Sequence, residues 1–283
     1  MGQCFMAETD RTNIGKYIVL KFLGRGGEGS VYLARDEDLQ RMVAVKQMGE
    51  NMQEADWLKR LRHPMLPIVY ELLWDKEWYL IMEYIGGVTL HSYIERNGFV
   101  QEEQTLEWAQ QLLDVTEYLH TRKPPVIYRD LKPDNIMVCP DGHLRLVDFG
   151  AASVRNYGAK ENIIMAATQG YAAPEQFGRT GQGAYADERS DIYALGKVIY
   201  YMMTGADPAI PPYASLPVHD YQPLADRRLE RIIHRCIEEN PAYRYQTVAE
   251  LRMKLARCGG RRYRLRRRAF IRGVEKKIWL TEM

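Results

Sequence analysis

The chain changes character at Gly86-Gly87, and that change constrains its fold more than any other feature. Before it, residues 17 to 46 and 66 to 84 are rich in Val, Ile, Leu and Tyr with turn residues between, the pattern of a small antiparallel sheet. One helical stretch interrupts these strands. Met52, Ala55, Leu58 and Leu61 recur at three-residue spacing, and Pro64 closes the segment. After Gly87 the pattern becomes helical. Leu106, Ala109, Leu112, Leu113 and Leu119 form an apolar stripe over about 102 to 120, while Ile192 to Met203 is apolar almost all round and predicts a buried helix. Residues 136 to 147 break the run, because two short apolar strands flank Asp141-Gly142, a strong hairpin signal. The expectation is an α+β chain, with a small sheet lobe, a larger helical lobe and a cleft between them where a ligand would sit.

Composition permits this. A chain of 283 residues with 46% apolar content can bury a sizeable core and fits one bilobal domain or two ordinary ones. Cys4, Cys139, Cys236 and Cys258 are scattered without a Cys-x-x-Cys, so neither a zinc knuckle nor a disulfide framework is indicated. A reducing, cytoplasmic setting follows. The six histidines are dispersed and read as surface or packing residues. No secretory signal and no apolar run of membrane-spanning length is present. The start Met1-Gly2-Gln3-Cys4-Phe5-Met6 resembles an acylation signal, but position 6 is methionine where the pattern wants serine or threonine. Residues 1–11 therefore read as an N-terminal extension.

Three motifs carry chemistry. Gly24-Arg25-Gly26-Gly27-Glu28-Gly29-Ser30-Val31 matches G-x-G-x-x-G-x-V between two predicted strands; glycines there let backbone amides approach phosphate oxygens. Alone, it could be an ordinary hairpin. A dinucleotide fold is disfavoured because a strand follows rather than a helix. Val43-Ala44-Val45-Lys46 places Ala44 and Lys46 on one face of the next strand. Tyr128-Arg129-Asp130-Leu131-Lys132-Pro133-Asp134-Asn135 is followed, thirteen residues after Asn135, by Asp148-Phe149-Gly150. A carboxylate, an ammonium and a carboxamide thus share one loop, with a second carboxylate beyond it. This is the equipment for aligning a hydroxyl with a metal-bound nucleotide.

In this order the motifs resemble the catalytic core of a eukaryotic-like serine/threonine protein kinase of bacterial type, covering residues 12–258. The resemblance implies a sheet lobe over 12–84, a hinge over 83–88 and a helical lobe over 88–258. It implies ATP with Mg²⁺, or Mn²⁺ in its place. Gly24, Gly26, Gly29 and Val31 would cover the phosphates, and Lys46 would hold the α- and β-phosphates with Glu54 as its partner. Ala44 and Met137 would contact the nucleotide, Met82 would be the gatekeeper, and the backbones of Glu83 and Ile85 would bond adenine. Asp130 would orient the attacking hydroxyl and accept its proton, Lys132 would neutralise the γ-phosphate, and Asn135 and Asp148 would ligate the metal. Tyr128 stands where histidine is commoner and would pack against Phe149. Lys132, two residues after Asp130, fits the serine/threonine class.

Protein substrates are implied by Thr168-Gln169-Gly170-Tyr171-Ala172-Ala173-Pro174-Glu175, which resembles the peptide-docking loop that small-molecule kinases lack. Thr168 would bond Asp130 and Lys132, Glu175 would pair with Arg244, and Asp191 would fix the catalytic-loop backbone. One departure concerns Glu54, only eight residues from Lys46, so the helix carrying it should be trimmed to ~10 residues. Glu50 sits too close to the strand end to replace it. A second departure is that between Phe149 and Pro174 the only serines and threonines are Ser153 and Thr168, while Ile164 occupies the usual phosphosite. Activity is thus expected without phosphorylation near Ile164, with Glu161 or packing serving Arg129.

Residues 259–283 carry nine Lys/Arg, from Arg261 to Lys277, against Glu275 and Glu282, a charge of +7 in a chain of +2 that leaves −5 on residues 1–258. With Phe270, Ile271, Ile278 and Trp279, this tail could meet an anionic membrane at the inner face, lie on the domain as a solvated extension, or bind nucleic acid, though with no sequence specificity. The reading from a different class is a nucleotide-binding pseudokinase acting as a scaffold. Its signature would be loss of a catalytic Asp, Lys or Asn, and all three stand here.

Overall fold

Alternation of branched and aromatic residues builds the first half of the chain. The computed structural model describes residues 13–26, 29–49, 52–154, 168–179, 185–213 and 215–258. The N-terminal extension, Glu50, Glu161, Ile164 and the basic tail lie outside the described residues. Contacts divide the chain into two units, one formed by residues up to Gly87 together with Arg145–Gly150, the other by Val88–Leu144 and the chain from Ala151 onward. The break falls directly after Gly86-Gly87.

The first unit is a curled antiparallel sheet of β1 (Asn13–Ile14), β2 (Tyr17–Gly26), β3 (Gly29–Asp36), β4 (Arg41–Gln47), β5 (Val69–Trp74) and β6 (Trp78–Glu83), in the order β1-β2-β3-β4-β6-β5. Register sorts the side chains. Val31 lies opposite Lys46, Ala44 opposite Met82, and Lys46 opposite Leu80, so these residues share one face. The other face is apolar and buried, with Ile14, Tyr17, Ala34, Val43, Val45, Tyr79 and Ile81 forming a core.

Helix α1 (Gln53–Arg60) has eight residues, shorter than the ~10 expected, because Met52 and Leu61 are its caps and not part of it. Glu54 and Asp56 in its first turn and Lys59 and Arg60 in its last complement the helix dipole. Ala55, Leu58 and Leu61 are buried. Such a short helix stands through packing and termination, not propensity.

The second unit begins with β7 (Val88–Thr89) and α2 (Leu90–Asn97), where the Thr89 hydroxyl accepts the Ser92 N–H as an N-cap. Helix α3 (Glu102–His120) has the expected bounds, set by Glu102 and Glu103 at its start and a ten-residue buried stripe. Then come β8 (Val126–Ile127), β9 (Ile136–Val138), β10 (Leu144–Leu146), whose last two residues belong to the first unit, and β11 (Ser153–Val154). The expected turn joins β9 and β10: Cys139 N–H donates to His143 O and Gly142 N–H to Cys139 O, both at 2.9 Å. β9 pairs with β7, and β8 with β11, both antiparallel.

Helix α4 (Glu188–Thr204) is buried from Ser190 to Thr204, as its all-round apolar sequence requires. The helices α5 (Val218–Tyr221), α6 (Arg227–Cys236) and α7 (Val248–Leu255) follow. Leu229, Ile232, Ile233 and Cys236 form the buried stripe of α6, and Arg252 of α7 bonds Glu117 of α3 at 2.7 Å. Among the described residues, no helix is long and apolar enough to cross a membrane.

Candidate active site

Strand β4 delivers Lys46 to the inner face of the first sheet, where it is 3% exposed. Its ammonium pairs with Glu54 Oε2 and, at 2.9 Å, with Asp148 Oδ1. Burial alone would lower the pKa of this ammonium, but the carboxylates of Glu54 and Asp148 outweigh burial and raise it above the ordinary lysine value. Glu54 has a second task. Its Oε1 accepts the Phe149 N–H at 3.0 Å, so one buried carboxylate holds both the lysine and the backbone after Asp148. Asp148 has φ +65°, accepts the Gly150 N–H at 3.2 Å, and keeps its side chain 35% exposed.

The glycine-rich turn shows why its glycines differ. A Cβ on Gly29 would sit 2.1 Å from the Gln47 carbonyl oxygen, whereas one on Gly24 would meet nothing within 4 Å. Gly29 is demanded by the protein's own packing. Gly24 instead borders open space, which suits the approach of a phosphate to backbone amides. Gly26 lies opposite Gly29 in the β2–β3 register, and Val31 opposite Lys46. Ala44, Met82 and Ile85 are buried at 7%, 8% and 8%, and Met137 is half-buried in β9. The Glu83 N–H donates to Ile68 O at 2.8 Å, so it is not available to a base. The Glu83 carboxylate accepts from Arg145 at 2.5 Å and from the Ile68 N–H at 3.2 Å, and Arg145 also donates to Leu66 O at 3.0 Å. Sequence reasoning did not find this brace at the end of β6.

In the second unit, Asp130, Lys132, Asn135 and Thr168 form one cluster. Thr168 Oγ1 donates to Asp130 Oδ1 at 2.8 Å, Lys132 Nζ lies 2.7 Å from Asp130 Oδ2, and Lys132 also donates to Thr168 at 3.0 Å. Asn135 Nδ2 donates to both Asp130 Oδ2 and Asp130 O at 2.9 Å. Burial raises the Asp130 carboxyl, while Lys132, Thr168 and Asn135 pull it down; the net direction is upward from the ordinary aspartate value.

The loop backbone is fixed from beneath. Asp191, 1% exposed, accepts the N–H groups of Tyr128 and Arg129, each at 2.9 Å, and His120 Nε2 lies 2.8 Å from it. Arg129 sits at φ +69°, a strained conformation that these bonds hold in place. His120 adds a side-chain partner that no spacing in the chain announced.

A divalent cation would meet hard oxygen donors here. Both Nδ2 bonds of Asn135 stay inside its own loop, which leaves Oδ1 as the atom it can offer to a metal. Asp148 offers a part-exposed carboxylate. Among the described residues, no group of three or more His, Cys, Asp or Glu could hold a metal alone. An ion at Asn135 or Asp148 would complete its shell with phosphate oxygens and water, the usual habit of Mg²⁺. The donor set therefore fits the metal.

Comparison with known proteins points one way. A family model described as "Protein kinase domain" matches residues 17–252. The chain is 29% identical over 262 residues to serine/threonine-protein kinase PrkC of Bacillus subtilis, covering 84% of this chain and 39% of that protein. It is 31% identical over 273 residues to serine/threonine-protein kinase PknB of Mycolicibacterium smegmatis, covering 86% and 43%. Sperm motility kinase 2B of Mus musculus is 33% identical over 201 residues, covering 68% and 40%. The chain spans less than half the length of these curated relatives.

Proposed function

This chain belongs to the protein kinase domain family, and from that premise we propose that it transfers the γ-phosphoryl group of ATP to serine and threonine hydroxyls of proteins, its own copies included. The observation that carries the reading is the Asp130 cluster: a half-buried carboxylate whose two oxygens are aimed by Thr168, Lys132 and Asn135. The printed names of PrkC and PknB, both serine/threonine-protein kinases, support the hydroxyl class.

Asp130 orients the substrate hydroxyl and takes its proton as the oxygen bonds the γ-phosphorus. The bond from that phosphorus to the β–γ bridging oxygen breaks, and ADP leaves. Lys132 neutralises the γ-phosphate oxygens, where a loose transition state spreads its charge. Lys46, held by Glu54 and Asp148, meets the α- and β-phosphates, and the backbone at Gly24 and Gly26 lies over them. Asn135 and Asp148 would hold Mg²⁺, which would supply charge neutralisation on the phosphate oxygens. Thr168 keeps the Asp130 carboxylate turned toward the hydroxyl, a positioning role. A scaffold without turnover would be expected to have lost one of these groups, yet each is present and engaged.

Asp130→Asn keeps the shape of the loop and removes the base. Transfer to a generic basic protein should fall by at least ~10²-fold in that variant, the usual worth of a general base, with the circular dichroism spectrum unchanged. Lys46→Met should be equally poor while still folded. Equal, negligible transfer by wild type and both variants would favour the scaffold reading.

A further inference from the structure

Helix α4 is apolar almost throughout, yet Lys197 stands in its middle and is only 5% exposed. Three other polar side chains of its buried stretch are matched, while the Tyr200 hydroxyl is not. Ser190 donates to Glu175 at 2.7 Å, Asp191 holds three donors, and Thr204 bonds the Tyr200 carbonyl at 2.8 Å. Lys197 has no carboxylate among the described residues. Its ammonium donates to Ser215 Oγ at 2.9 Å and lies 5.4 Å from the centre of the Tyr193 ring. Burial pushes its pKa down to about 8, with no neighbouring charge to offset the loss of water. Methionine would fill the same space without that desolvation cost. The position therefore suits an anion that is not part of the unmodified protein.

Its hydroxyl partner is well placed to become one. Ser215 is the one serine or threonine between Gly205 and Pro217. It is half-buried and lies in a stretch without regular structure ahead of α5, among Ile210, Tyr213 and Leu216, which are 63%, 37% and 52% exposed. Exposed irregular segments are where a modifying enzyme gains access to a chain. We propose that Ser215 is a phosphorylation site and that Lys197 receives its phosphate. The proposal rests on the kinase reading, which supplies the donor. The Ser215 oxygen bonds the γ-phosphorus of ATP held by a second copy, the phosphorus–oxygen bond to ADP breaks, and the hydroxyl proton passes to that copy's Asp130. A phosphoseryl group brings about −1.5 to −2 charges. Placed against a desolvated ammonium, it makes short charge-assisted bonds and fastens Ser215 to α4.

The test incubates wild type, Lys197→Met and Ser215→Ala with Mg²⁺ and ATP, maps phosphates by mass spectrometry, and compares Tm before and after phosphatase treatment. Phosphate should appear on Ser215 in wild type, and also on Asp130→Asn when wild type is added. Relative to Ser215→Ala, phosphorylation should raise the wild-type Tm by about 2–4 °C. The gain should vanish in Lys197→Met and persist in Lys197→Arg, which keeps the charge and serves if the methionine variant does not fold. Phosphate on other residues with Ser215 unmodified would overturn the site and leave the kinase reading intact. An equal gain in Lys197→Met, or its loss in Lys197→Arg, would remove Lys197 from the account. No phosphate anywhere would overturn both readings.

Discussion

Asp130 is pulled two ways by its surroundings, and the balance makes a kinetic prediction. Burial raises its carboxyl, and the bonds from Lys132, Thr168 and Asn135 to the charged form restrain the rise. The base must be ionised to take a proton, so kcat/KM should fall on the acid side as pH drops through this raised value. Thr168→Val removes a donor to the carboxylate while keeping the side chain's shape. Because that donor favours the charged form, its loss raises the carboxyl further and should move the acid limb up by about one pH unit. A limb that stays in place or moves down would show that Thr168 does not tune the base. Single residues were unevenly legible in the sequence. Glu54 was reached through the family resemblance, helped by the local apolar spacing of the helix that carries it. The Phe149 N–H on Glu54 and the Arg145 brace on Glu83 join residues 95 and 62 positions apart, and no periodicity encodes such contacts.

At the scale of elements, the β2–β3 turn separates glycines that look alike in the motif. Gly29→Ala drives a methyl group into the Gln47 carbonyl and should cost about 1–3 kcal/mol, read as a lower denaturant midpoint. Gly24→Ala meets nothing within 4 Å, so its midpoint should hold while the KM for ATP rises. Equal stability loss in both would contradict the assignment of Gly29 to packing and Gly24 to the ligand. Strands and long helices were readable because period-2 and period-3.6 patterns are strong over their lengths. α3 matched its stripe, while α1 is one residue shorter at each end because apolar spacing does not distinguish a cap from the helix it bounds. The two-residue strands β1, β7, β8 and β11 are too short for any pattern.

Over the whole molecule, the second unit is held by a pair that takes no part in chemistry. Glu175 and Arg244 are both 0% exposed and bond bidentately at 2.7 and 2.8 Å, with Arg244 also donating to the carbonyls of Arg189, Glu238 and Glu239. Arg244→Met would strand a buried carboxylate and should destabilise by about 3–5 kcal/mol in urea unfolding. A loss under about 1 kcal/mol would mean that water or another cation reaches Glu175. This pair, 69 residues apart, was visible in the sequence only through family resemblance, as was the division of labour between Lys46 and Asp130. The central claim is phosphoryl transfer through Asp130. Its most direct test follows label from [γ-³²P]ATP into protein, with phosphoamino-acid identification, for wild type and Asp130→Asn side by side. The account predicts phosphoserine and phosphothreonine with wild type and essentially none with the variant; no label with either, or the same label with both, would contradict it.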